Sequence, residues 1–177
     1  MIGMVRLFWH GTVGTGWASL LCKVPNSPAG TNASGQLGQG DTTARGGTAG
    51  TMGDSLPTVD LGKGLTARSL ALGASHTCAL VADVSSNLSV KCWGDNSHGQ
   101  LGVGDSANRG AQSGEMGDAL PAVDFGSRTP TAVAAGGNST CAVLSDSNAV
   151  CWGEPWQGHF SWWRVMVMEC NAMHNAP

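Results

Sequence analysis

Tyrosine is absent from these 177 residues, phenylalanine occurs three times, and lysine and glutamate occur three times each. Helical bundles and coiled coils draw on Glu, Lys, Leu and Ala in quantity, so this chain is neither. Charged side chains make up 12%, about half the usual share. The nine basic residues stand singly among twelve acidic ones, leaving no basic face to neutralise phosphates, so nucleic acid is not an expected partner. No apolar run approaches the ~20 residues that span a bilayer. A net charge of -3 with 41% hydrophobic residues also departs from the signature of a disordered chain. In abundance is glycine: 27 residues, roughly double its ordinary share, without the G-X-Y period of collagen. A turn-rich, all-β chain remains.

Those glycines recur in order. Residues 35–62 read GQLGQGDTTARGGTAGTMGDSLPTVDLG and residues 99–126 read GQLGVGDSANRGAQSGEMGDALPAVDFG; they align without a gap, 17 of 28 positions being identical. GASHTCAL (73–80) then matches GGNSTCAV (136–143), and VKCWG (90–94) matches AVCWG (149–153). The offset slips between the two cysteines of each copy, which places the deletions in a loop there. The chain therefore divides into an unmatched segment 1–31, a repeat region 32–158 with units near 35–98 and 99–158, and an unmatched tail 159–177.

Within each unit the pattern is β. TARSLALG (66–73), HTCALVAD (76–83) and LSVKCWG (88–94) read as strands, the last two as arms of a hairpin, and TPTAVAAGG, STCAVLSD and NAVCWG repeat that order. SLPTVDLG and ALPAVDFG each add a fourth short strand, with Pro57 and Pro121 confined to a strand start or an edge. Four short antiparallel strands and a Gly-rich loop at one fixed place predict propeller blades, two of them: an all-β partial β-propeller with irregular ends. The N-terminal MIGMVRLFWHGTVGTGWASLLC makes a poor signal peptide and reads as an irregular segment.

The string HTCAL followed by KCWGDNSHGQLGVGD resembles the repeat of the regulator of chromosome condensation family, whose members form seven-bladed β-propellers. The resemblance covers about residues 32–158. It rests on Gly35, Gln36, Leu37 and Gly38 in one copy and Gly99, Gln100, Leu101 and Gly102 in the next, with His76, Trp93, Gly94, Asn96, Trp152 and Gly153 around them. Seven blades need several hundred residues and this chain supplies about two, so the resemblance implies a fragment of a longer propeller or a unit that self-associates. It also implies several roles: nucleotide exchange on a small GTPase, substrate recognition within a ubiquitin ligase, or an extracellular binding module. The family is cytoplasmic or nuclear in its best-known members. One fold hosts many functions, so the name does not choose among them.

Read as chemistry, the same residues offer little. The glycines fit backbone turns; neither a Gly-Lys-Ser/Thr ending nor a following helix supports a phosphate cradle, and no cofactor is called for. Cys78 and Cys92 fall on the two arms of one hairpin, and Cys141 and Cys151 on the arms of the other. They are either two cross-strand disulfides or four buried small hydrophobes in a reducing compartment. A hydrolase or zinc site using His76, Cys78 and Cys92, with His98, is the alternative reading. The second copy opposes it, since Ser139 stands for His76 and Gln157 for His98. Three glycosylation sequons start at Asn32, Asn87 and Asn138, the second on a hairpin tip, and leave the compartment open.

The expectation is a non-catalytic scaffold that binds a protein partner through loops on a rigid frame. Arg45, Met52 and Asp54, and their counterparts Arg109, Met116 and Asp118, are the candidate partner-loop residues. Thr42–Ala44 against Ser106–Asn108 is where the copies differ. The tail, with Trp162, Trp163, Val165 and Val167 close together, is a partner strand, an anchor helix or a stretch that does not fold.

Overall fold

The computed structural model describes residues 30–154 together with two short N-terminal strands, β1 (Phe8–His10) and β2 (Trp17–Ser19). The tail, Gln157, Cys22 and Cys170 lie outside the described residues. β1 and β2 pair antiparallel, Trp9 opposite Ala18, where an irregular segment was expected. Two short apolar runs flanking a Gly-rich stretch have hairpin composition.

Six further strands form two sheets. β3 (Thr66–Leu72), β4 (His76–Ala82) and β5 (Leu88–Gly94) make the first, in that order and antiparallel throughout. β6 (Pro130–Gly136), β7 (Ser139–Leu144) and β8 (Ala149–Gly153) make the second. Apart from two 3-10 turns at Gly53–Ser55 and Gly117–Ala119 the described chain has no helix. The architecture is all-β, a partial propeller of two blades.

Each blade has three paired strands, not the four expected. In the first blade the fourth place is held by one isolated bridge between Lys91 and Ala122, beside which Val123 N–H donates to Val90 O at 2.8 Å. Pro121 carries no N–H, and Asp124 turns its carboxylate onto the N–H of Gly126 at 2.8 Å, so a ladder cannot extend either way. The earlier copy, around Pro57, forms no strand, though its Val59 and Leu61 are buried.

Packing follows from the central position of β4, all seven of whose residues are buried. Its alternate side chains enter two apolar layers, as a period of two requires. Cys78 and Leu80 join Ala71, Val90, Cys92, Leu101, Val123, Val133 and Ala135 between the two blades. Ala79 and Val81 join Val59, Leu61, Trp93 and Leu120 on the opposite face. The first blade is thus sandwiched between residues 30–65 and the second blade. Phe125 meets Trp152 edge to face, ring centroids 5.8 Å apart, and both pack, partly buried, against the interblade layer.

Candidate functional site

Two loops of common design, residues 30–54 and 94–118, hang on this frame. Each is organised by one buried asparagine. The Asn32 side-chain oxygen accepts from Leu37 N–H at 2.9 Å, while its amide donates to the carbonyls of Asp41 and Thr43 at 2.7 and 3.2 Å. Asn96 repeats this with Leu101 N–H at 3.0 Å and the carbonyls of Asp105 and Ala107 at 2.8 and 3.1 Å. One side chain therefore satisfies three backbone groups across the loop, work that no apolar residue there performs.

The intervening Gly-Gln-Leu-Gly turn explains its own sequence. Gly35, Gly38, Gly99 and Gly102 all have φ between 67° and 79°, the left-handed region where a Cβ is costly. A Cβ on Gly38 lies 2.8 Å from Trp93 Nε1, and one on Gly102 lies 2.6 Å from Trp152 Nε1. The absent side chain makes room for an indole. Leu37 and Leu101 point inward, and the glutamine carbonyls do the docking. Gln36 O accepts from Thr77 Oγ1 at 2.9 Å and Trp93 Nε1 at 3.0 Å. Gln100 O accepts from Thr140 Oγ1 at 2.8 Å and Trp152 Nε1 at 2.9 Å. Every loop is clamped by a carbonyl onto the Thr and Trp of the next sheet. Gly94 and Gly153 let the last strand pass close to the backbone of residues 75–76 and 138–139.

His76 ties the blades together. Thr140 Oγ1 spends its proton on Gln100 O, so it accepts from His76 Nε2–H at 2.8 Å. That assigns the tautomer with Nδ1 unprotonated, and Nδ1 has no hydrogen-bond partner among the described residues. Burial pushes the imidazole pKa down to about 4, against a weak opposing pull from the Asp95 carboxylate. Beside it is a cavity of ≈ 20 Å³, lined by Gly30, Gln36, Leu37 and Gly73 among others, room for a water and not for an organic substrate.

The cysteines form two bridges, Cys78–Cys92 and Cys141–Cys151, with Cα separations of 4.0 and 4.1 Å across facing positions of the hairpins. This corrects the hydrolase and metal alternative drawn from His76, Cys78 and Cys92: the two cysteines hold each other, and neither offers a thiolate to His76 or to zinc. His98 is exposed and leans on Ser97 Oγ at 3.0 Å. No group of three or more metal-type side chains converges among the described residues.

The candidate partner residues separate into two kinds. Arg45 grips Asp41 with both guanidinium nitrogens, at 2.9 and 2.6 Å, and these bonds hold the Asp41 carboxyl at a pKa of about 2. Arg109 bonds Asp105 at 2.6 Å and the carbonyls of Ala107 and Asn108. Asp54 is exposed on its 3-10 turn, and Asp118 accepts from Lys63 N–H at 2.8 Å. Met52 is 40% exposed. Its counterpart Met116 is half-buried: it packs against the apolar layer that holds Trp93 and lies between Gly38 and Gly110. The loops lie side by side, since Gly35 abuts the backbone of Gly110–Ala111 and Gly40 faces Gln112–Ser113.

Lys91 is a residue that sequence reasoning missed. Only 7% exposed, its ammonium donates to Leu61 O at 2.9 Å and Gly117 O at 2.8 Å, joining the stretch that follows the first loop to the end of the second. Burial lowers its pKa, and Asp118 and Asp60 oppose the shift. The one available signal was its place in a strand whose copy carries Val150.

Rigid antiparallel blades, each stapled by a disulfide and presenting a long loop at one end, define a propeller-type repeat protein. Residues 67–100 and 131–155 match the family model described as the Regulator of chromosome condensation (RCC1) repeat. The two matches fall on the two blades. No curated protein sequence matches the chain. Among solved structures, the crystal structure of human WBSCR16 is similar at 19% identity with a TM-score of 0.47, over 70% of this chain. The chain spans 27% of that structure's length.

Proposed function

We propose that the protein is a non-catalytic binding scaffold whose partner is another protein, engaged by the paired loops at 41–54 and 105–118. The observation that carries this is their construction. Buried Asn32 and Asn96, the carbonyl clamps and the Asp–Arg pairs fix the loop backbones, while Thr42–Ala44, Ser106–Asn108, Met52 and Asp54 remain outside. Binding surfaces of this kind cost little ordering entropy, because the frame is already in place. The repeat family implies three settings, nucleotide exchange on a small GTPase, substrate recognition in the ubiquitin pathway and an extracellular binding module; the paired disulfides favour the last, within a longer propeller or an assembly of copies.

A photoreactive residue placed at Met52 or Ser106 tests this, with Val84 on the opposite rim as control. Cross-linking to one defined protein from the first two positions, and not from the third, is the expected result. Release of a fluorescent nucleotide from a cross-linked GTPase then separates exchange from simple binding. Equal cross-linking from all three positions refutes the loop surface.

A further inference from the structure

We propose that Asn87, at the tip of the β4–β5 hairpin, is an N-glycan acceptor, and that the sequons at Asn32 and Asn138 are not. The three Asn-x-Ser/Thr triplets are equivalent in sequence and very unequal in the fold. Asn32 is 1% exposed and its amide nitrogen already serves three acceptors, so a sugar there displaces the bonds that organise its loop. Asn138 is half-buried, and what separates it from Asn87 is its sequon: Ser139 and Thr140 are buried, and the Thr140 hydroxyl that the sequon needs is the clamp on Gln100 O. Asn87 is exposed, on a tip where Val84, Ser85 and Ser86 are exposed too, Val84 at 89%. Its Nδ2 donates one bond, to Asp83 Oδ2 at 2.9 Å, and so keeps one N–H to exchange. The turn presenting it is well held: Asp83 Oδ1 accepts from Ser85 N–H and Asn87 N–H at 2.8 and 2.9 Å.

The second, independent observation is the pair of disulfides, bonds that form and persist in the oxidising compartments where glycan transfer takes place. The donor is a lipid-diphosphate-linked oligosaccharide. Asn87 Nδ2 bonds to the anomeric carbon and loses one proton, while the anomeric C–O bond breaks and the lipid diphosphate leaves with its electron pair. β5 starts beside this tip and ends at Gly94, seven residues on, where the long loop begins. The glycan therefore sits roughly 20 Å of strand away from the loop surface and leaves it uncovered.

The test is expression of the full chain behind a secretion leader in a glycosylating host, followed by enzymatic deglycosylation in heavy-oxygen water and peptide mass mapping. The heavy-oxygen label is expected on Asn87 alone. Asn87→Gln and, independently, Ser89→Ala abolish the gel shift, while Asn32→Gln and Asn138→Gln leave it. The peptide carrying Asn87, taken from protein isolated from its native source, is expected to bear hexosamine. An unmodified Asn87 in either preparation overturns the proposal, as does a glycan at Asn32 or Asn138 in folded material.

Discussion

Acid should weaken this protein through His76 before it titrates the carboxylates. The imidazole is neutral in the fold, with a pKa of about 4, and has an ordinary value of 6.5 when the chain unfolds. Between those values the unfolded chain binds the extra proton, so stability rises with pH across that window and is lost as pH falls from 6.5 towards 4. The full difference corresponds to roughly 3 kcal/mol, and about 2 kcal/mol of it is gone at pH 5. That is a large part of the reserve of a small domain. His76→Gln keeps an amide N–H to reach Thr140 Oγ1 and removes the titration. Urea unfolding at pH 7.5, 6.5, 5.5 and 5.0 is the assay. The wild type should lose stability steeply below 6.5 while His76→Gln stays nearly flat, the two curves converging in acid. Parallel curves would refute the reasoning, because they would mean that the imidazole keeps its ordinary pKa in the fold.

Non-reducing peptide mapping should find Cys78–Cys92 and Cys141–Cys151 alone among these four; loss of either bridge by double alanine substitution should cost about 3 kcal/mol by the loop-closure estimate. Cys151 is exposed and Cys92 fully buried, so a mild thiol should open the second bridge first, read by differential alkylation; the reverse order contradicts the packing. Gly102→Ala should destabilise by roughly 2–3 kcal/mol, since its Cβ meets the Trp152 indole, whereas Gly104→Ala, with similar φ and open space, should cost only about 1 kcal/mol. Thermal melts of the two variants side by side decide this. Lys91→Met should cost about 1–3 kcal/mol by stranding the carbonyls of Leu61 and Gly117, and hydrogen exchange should rise at residues 60–63 and 117–120; unchanged exchange there argues against the lysine pin.

By itself the sequence determined where the chain repeats, which stretches become strands and how the hairpins register. LSVKCWG became β5 residue for residue, and Cys78 faces Cys92 as the two arms required. These are local matters, governed by a period of two, by turn residues and by glycine at positive φ, and each is carried within a few residues. What a residue touches across the fold was decided only by tertiary structure. Met52 and Met116 share one motif, yet Met116 has Trp93 above it and Met52 stands 40% exposed. The fourth strand shrank to a single bridge because a proline and an Asx turn border it. His76 recurs as Ser139, which hid its role until Thr140, 64 residues away, was brought within 2.8 Å. The Gln36 and Gln100 carbonyls act through their backbone, and only their position opposite a Thr and a Trp gives them work. Loop docking and blade stacking join residues dozens of positions apart, and no spacing along the chain encodes such a meeting.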